Sequence, residues 1–118
     1  MRSEPALSRR FRRGSLHESS VMARRYERLG LGVDDLAVVE LNEAFASQGL
    51  ATLRQLDIAN DDPRVNRNGG AIALRHPLGM SGARSAGTAM LDLQQGQISL
   101  STMCIGVGQG ISIALQRV

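Results

Sequence analysis

Few side chains in this 118-residue chain can do more than carry charge. The histidines are His17 and His76, and the single cysteine is Cys104. His76 precedes Pro77, which biases its backbone to the extended region. Gly69, Gly70, Gly79 and Gly82 lie on either side. A ring on a stiff, glycine-flanked loop ahead of a helix is well placed to meet a ligand. Cys104 ends an apolar run just before Gly106-Val107-Gly108-Gln109-Gly110. A thiol used there for proton transfer would stand beside glycine amides free to bind an oxyanion. Asn42-Glu43 falls where a strand gives way to a helix, as a helix cap or as a polar group positioned for catalysis. Taken singly, each has an ordinary structural reading too: a lone loop histidine, a buried cysteine packing as a small hydrophobe, a cap.

Other chemistries are excluded more firmly. Gly106-x-Gly108-x-Gly110 is not a dinucleotide loop, because such a loop must open a helix and Ile111–Leu115 (ISIAL) favours a strand. No phosphate-binding GxxxxGK[ST] exists, since all fourteen basic residues are Arg. His17, His76 and Cys104 are too scattered for a transition-metal site, and one cysteine forbids an internal disulfide. No apolar run approaches the ~20 residues of a membrane span.

The elements that must position these groups begin near residue 30. Residues 1–30 carry eight Arg against three acids, and residues 31–118 six Arg against eight acids. Met1–Leu16 reads as a solvated Arg-rich leader; a nucleic-acid arm or a transit peptide is the sharper alternative. Residues 31–118 read as the domain. Glu18–Leu29 has helical spacing, with Gly30 as its stop. Leu36–Leu41 (LAVVEL) is a short buried strand. Glu43–Leu56 is a helix with Phe45, Gly49, Leu53 and Leu56 on one face. Asn60–Gly70 is a loop by composition, and Ala71–Leu74 is a short apolar run. Ser81–Gln95 is a second helix whose small face is Ala83, Ala86, Gly87 and Met90. Ile98–Ile105 and Ile111–Leu115 are strands joined as a hairpin. The order predicts an α/β fold with a mixed sheet and packed helices. Phe11, Tyr26 and Phe45 are its only aromatic residues, so the core must come from aliphatic side chains.

Together the motifs say more than any one of them. VELNEAFA (Val39–Ala46), NGGAIALRHPLGMSGAR (Asn68–Arg84) and MCIGVGQGISIAL (Met103–Leu115) resemble the C-terminal domain of thiolases, in the family's order and with similar spacing. The wording TMCIGVGQG is similar to the 3-oxoadipyl-CoA branch. The resemblance implies an acyltransferase acting on a 3-oxoacyl-CoA and coenzyme A, with no permanently bound cofactor. It implies that a nucleophilic cysteine takes the acyl group and that His76 activates it. It further implies that Cys104 moves the proton at the substrate α-carbon. Asn42 would hold a water that forms one oxyanion hole with His76, and the Gly106 amide would serve a second.

Two departures qualify that expectation. The family uses two cysteines, and the one present matches the proton-transfer cysteine. The chain is therefore expected to be an incomplete C-terminal domain, inactive by itself, that needs a thiolase N-terminal domain or another copy. In the family the two domains form a layered αβαβα body, so a helix face buried there would be left open here. The alternative is a non-catalytic remnant or partner subunit that complements a separate N-terminal domain. The second departure is Arg75, where the family has glycine before the histidine. A non-glycine residue at positive φ there costs ~1–2 kcal/mol, and a guanidinium disfavours imidazolium and crowds the substrate. The expected setting is cytoplasmic, with neither membrane nor nucleic acid as partner.

Overall fold

β-Branched and leucine residues at Leu36–Leu41 form the first strand, β1, and five of its six residues are buried. The structure, a computed structural model, describes residues 27–118. The leader and most of the helix expected at Glu18–Leu29 lie outside the described residues; Glu27–Leu29 is helical. After a short 3-10 turn at Val33–Asp35 and β1 come α1 (Ala46–Gln55), α2 (Ala71–Leu74), α3 (Ser81–Asp92), β2 (Ile98–Gly106) and β3 (Gln109–Gln116). The sheet order is β1-β2-β3, with β1 parallel to β2 and β2 antiparallel to β3. This is the expected mixed α/β sheet.

Ladder partners share a face, so the register sorts the side chains. Leu36, Val39 and Leu41 on β1 stand beside Ile98, Leu100 and Thr102 on β2. This face packs on α1 through a core of Val33, Leu36, Val39, Leu41, Leu53, Leu56, Ile58 and Leu100. The opposite face presents Val38, and it packs with Ala89 and Leu93 of α3 and its exit. Ala114 and Leu115, adjacent on β3, go to the first and second core respectively. Period-two alternation thus clads a thin sheet on both sides.

One expectation about the helices is corrected. The first helix begins at Ala46 rather than Glu43. Phe45 is extended (φ −141°) and 72% exposed, off the buried face that Gly49, Leu53 and Leu56 do form. The Glu43 carboxylate is the physical reason: it is tied to residues far along the chain and holds the junction out of helical geometry. In α3 the stripe buried against the sheet is Ser81, Ser85 and Ala89, and the small face of Ala83, Ala86, Gly87 and Met90 lies outside it, half-buried to exposed. The first three are spaced i, i+4, i+8 and so share a face; Ser101 Oγ donates to the Ser85 carbonyl at 3.2 Å across it.

The hairpin is tighter than its five-residue glycine stretch implied. Val107 (φ +43°) and Gly108 (φ +71°) are its two central residues. Two positive φ values in succession match the right-handed twist of the flanking strands. A register shift between Cys104 and Gly106 marks a bulge at the end of β2.

Candidate functional site

The β1–α1 junction is held by the loop that follows. Asn66 donates from its backbone N–H to Val39 O (2.9 Å). Its side chain then continues the strand edge, Oδ1 accepting from Leu41 N–H (2.8 Å) and Nδ2 donating to Leu41 O (2.9 Å). Nδ2 also donates to Glu43 Oε1 (2.7 Å), while Glu43 Oε2 accepts from the Ile72 N–H (3.0 Å). Gly70 must be glycine here, because a Cβ would collide with the Glu43 carboxyl carbon. Glu43 is thus a clamp between the β1 exit and α2.

Asn42 lies one residue earlier. Its backbone N–H donates to Thr102 O (2.9 Å), which stitches it beside β2 at the C-terminal ends of the two parallel strands. The side chain is 1% exposed, yet neither Oδ1 nor Nδ2 has a hydrogen-bond partner. A buried amide with neither atom satisfied costs several kcal/mol on transfer scales, so the position suits an ordered water or a ligand oxygen.

Cys104 follows Thr102 by two residues and so shares its sheet face, toward α1. Its thiol is half-buried, and Sγ lies 4.0 Å from Oε1 of Gln48 in the first turn of α1. Gly106, two residues on, is at φ +90° and exposed.

His76 stands in the link between α2 and α3, half-buried, with Nδ1 2.6 Å from Ser81 Oγ. The same hydroxyl donates to Pro77 O at 3.2 Å. With its hydrogen on that carbonyl, Ser81 accepts from Nδ1–H, and this tautomer leaves a lone pair on Nε2. The preceding residue, Arg75, has φ +73° and ψ 170°, a region adopted almost only by glycine.

These groups gather at one end of the sheet: Asn42 and Cys104 at the ends of β1 and β2, His76 just ahead of α3. A Cβ on Gly82, in the first turn of α3, would sit 3.6 Å from Met103 Sδ, so that turn abuts the end of β2. No hydrogen bond joins the His76, Cys104 and Asn42 side chains to one another among the described residues. Sequence reasoning missed Asn66, Gln48 and Ser81. Ser81 had a signal, a hydroxyl at the start of a helix four residues past a proline; Asn66 and Gln48 act across 25 and 56 residues.

Beneath the site, Glu40 is fully buried on the α3 face, 3.8 Å from Arg84 Nη1. Desolvation pushes its carboxyl up to about 7, against the pull of Arg84; Asp92 and Glu43 add to the rise. On the other edge, Arg64 chelates Asp62 at 2.7–3.2 Å and lowers its carboxyl. Among the described residues no group of three or more His, Cys, Asp or Glu could hold a metal ion, and no helix is long and apolar enough to cross a membrane.

With these motifs at one sheet end, the chain belongs to the thiolase C-terminal domain family, whose model matches residues 16–117. The β-ketoadipyl-CoA thiolase of Pseudomonas putida is 63% identical over 94 residues, covering 78% of this chain and 24% of that protein. The 3-oxoadipyl-CoA/3-oxo-5,6-dehydrosuberyl-CoA thiolase of Escherichia coli is 60% identical over 94 residues, 78% of this chain and 23% of that one. The chain thus spans about a quarter of the length of these curated relatives. Among solved structures, the Acat5 thiolase of Ascaris suum in complex with coenzyme A superposes with a TM-score of 0.82 at 34% identity, over 87% of this chain and 26% of that one. The peroxisomal 3-ketoacyl-CoA thiolase of Saccharomyces cerevisiae, a five-layered α-β-α-β-α structure of two core domains, gives 0.76 at 43% identity, over 81% and 27%.

Proposed function

We propose that this chain supplies the acid–base and oxyanion-binding half of a thiolase site, while the cysteine that carries the acyl group comes from a thiolase N-terminal domain. The substrates are coenzyme A and a 3-oxoacyl-CoA of the 3-oxoadipyl type, the class named for the bacterial relatives, in a reducing, cytoplasmic setting. The observation that carries the reading is Asn42: a buried amide without partners, stitched to the strand that ends in Cys104.

In the thiolytic direction the external cysteine thiolate attacks the 3-keto carbon, having given its proton to His76 Nε2. The bond between the α- and β-carbons breaks, and its electron pair goes to the α-carbon of the departing acetyl-CoA. Cys104 S–H protonates that carbon and becomes thiolate. Negative charge on the thioester oxygen meets His76 and a water on Asn42, and the tetrahedral oxyanion at the acyl carbon meets the Gly106 N–H. Coenzyme A then releases the acyl group, and its thiol proton restores the cycle. Splitting the transfer through a thioester makes two easier steps of one.

The test mixes the chain with a thiolase N-terminal domain and follows acetyl-CoA formation from 3-oxoadipyl-CoA and coenzyme A. The chain alone is expected to give none. The pair is expected to turn over, and Cys104→Ala to lower that rate at least ~100-fold. Turnover by the chain alone, above a Cys104→Ala control, overturns the reading. The strained backbone at Arg75 favours a second one, a non-catalytic partner subunit; stable association with the N-terminal domain but no turnover is its signature.

A further inference from the structure

We infer that Glu43 is a positioning residue for the oxyanion hole, one carboxylate that holds the Asn42 side of the site and the His76 side at a fixed spacing. This role rests on the catalytic reading above, which leaves Glu43 unused.

Asn42 and His76 reach the same sheet end by different routes, one at the exit of β1 and the other in the link after α2. Glu43 spans the two. It directly follows Asn42, whose backbone N–H is tied to Thr102 O at 2.9 Å and whose carbonyl accepts from Ala44 N–H at 2.8 Å. Its own Oε2 accepts from the Ile72 N–H at 3.0 Å. Ile72 is the second residue of α2, and the N-cap of α2 is Gly70, which has no side chain to satisfy the first amides. Glu43 supplies from β1 the cap that Gly70 lacks. A single helical turn, closed by Leu74 N–H to Gly70 O at 2.9 Å, has little stability of its own. Its placement therefore depends on this outside carboxylate, and Arg75 and His76 follow it directly. Ser81, at 2.6 Å from Nδ1, orients the His76 ring; Glu43 sets where the backbone that carries the ring stands against Asn42.

The donors around Glu43 admit only a carboxylate. Asn66 cannot turn its amide, because Oδ1 accepts from Leu41 N–H at 2.8 Å and Nδ2 donates to Leu41 O at 2.9 Å. The remaining hydrogen on Nδ2 is thereby fixed on Glu43 Oε1, at 2.7 Å. The Ile72 amide is a second fixed donor, on Oε2. Two fixed donors need two acceptors, and a carboxamide of the same length offers one acceptor and one donor group. Glu43→Gln therefore sets N–H against N–H at one end and releases either Asn66 or Ile72. The carboxylate is also confined from the side: a Cβ on Gly70 would collide with the Glu43 carboxyl carbon and with Asn66 Nδ2.

The nitrogen-15 resonances of the Asn42 side-chain amide and of the His76 ring report the two sides separately on the full chain, where His17 is the only other histidine. Glu43→Gln is expected to shift both sets. Glu43→Asp, which keeps two acceptors on a shorter arm, should shift both in the same direction by less. Asn68→Ala is the control: it removes the 2.6 Å bond from Asn68 Nδ2 to Asp92 and loosens the same loop without touching the carboxylate, so neither set should move. In the pair with a thiolase N-terminal domain, Glu43→Gln is expected to lower kcat about tenfold with KM within about twofold, since a ~1 Å misplacement costs up to ~100-fold. If the Asn42 or the His76 resonances stay in place in both Glu43 variants, or if Asn68→Ala moves them equally, the inference is overturned. If both sets move while the parent pair is inactive, the catalytic reading fails and the clamp between the two sides survives. If the parent pair is active and the kcat of Glu43→Gln matches it, the positioning role alone fails.

Discussion

The two faces of the sheet are built on different principles. Toward α1, the side chains of Leu36, Val39, Leu41 and Leu100 meet Leu53, Leu56 and Ile58 in one apolar cluster. Toward α3, the apolar contribution shrinks to Val38, Ala89 and Leu93. The rest of that face is polar and buried: Glu40, Ser85, Ser99 and Ser101. Both Glu40 oxygens, Arg84 Nε and Nη2, and the Ser85 and Ser99 hydroxyls have no hydrogen-bond partner, although burial of such groups normally demands one. Further along the same face, Ile111 and Ile113 remain 52% and 44% exposed. One face closes a core, and the other buries charge at its centre and leaves apolar surface at its margin. The difference teaches that the α1 face carries the stability while the α3 face is conditioned by charge state.

Neighbouring residues on β2 offer the sharpest way to break this contrast. Leu100, fully buried, points to the α1 core, and Ser101 points to α3. Leu100→Ala is expected to cost about 2–5 kcal/mol, transfer loss plus cavity, a large part of a small domain's total. Ser101→Ala gives up one hydrogen bond to the Ser85 carbonyl and should cost about 1 kcal/mol. Urea midpoints compare them; equal losses would show that the two faces do not differ in kind.

Next in size is the charge state itself. Glu40 titrates at about 7 in the folded chain, above its model-compound value of 4.5, because burial outweighs the attraction of Arg84. The native state therefore keeps a proton that the unfolded chain releases. The resulting stability is complete below pH 4.5 and is lost as pH rises through 7, on the order of 3 kcal/mol across the window. Glu40→Gln mimics the protonated form, so the variant should outlast the parent at pH 8 and match it near pH 4. A parent–variant difference that does not change between those pH values would remove Glu40 as the cause.

Much of this was legible in the residues, and the reasons for the gaps are physical. Strand β1 announced itself through LAVVEL, and the hairpin through apolar runs around glycines, because both signals are local. His76, Cys104 and Asn42 stood out by motif, and the structure puts them at one sheet end. The start of α1 was not legible, since Glu43 is a good helix former whose carboxylate is committed to partners 23 and 29 residues away. The buried stripe of α3 was hidden for another reason: serine reads as a surface residue, yet Ser81 and Ser85 are buried against a histidine and a strand. Gln48 looked like an ordinary helix residue until β2 brought the thiol to it.

The smallest effect concerns the entry to α3, where sequence and backbone disagree. Arg75 occupies φ +73°, ψ 170°, a region essentially restricted to glycine and costing other residues about 1–3 kcal/mol. Arg75→Gly removes that strain but gives back about 0.5–1 kcal/mol in unfolded-state entropy. A net gain of about 1 kcal/mol is expected, read as a higher urea midpoint. Arg75→Ala is the necessary control, because it deletes the guanidinium and keeps the Cβ. If strain is the cause, alanine gains nothing and glycine gains alone. If both variants gain equally, charge beside His76 is what the position pays for, and the α3 face is again governed by electrostatics rather than by backbone geometry.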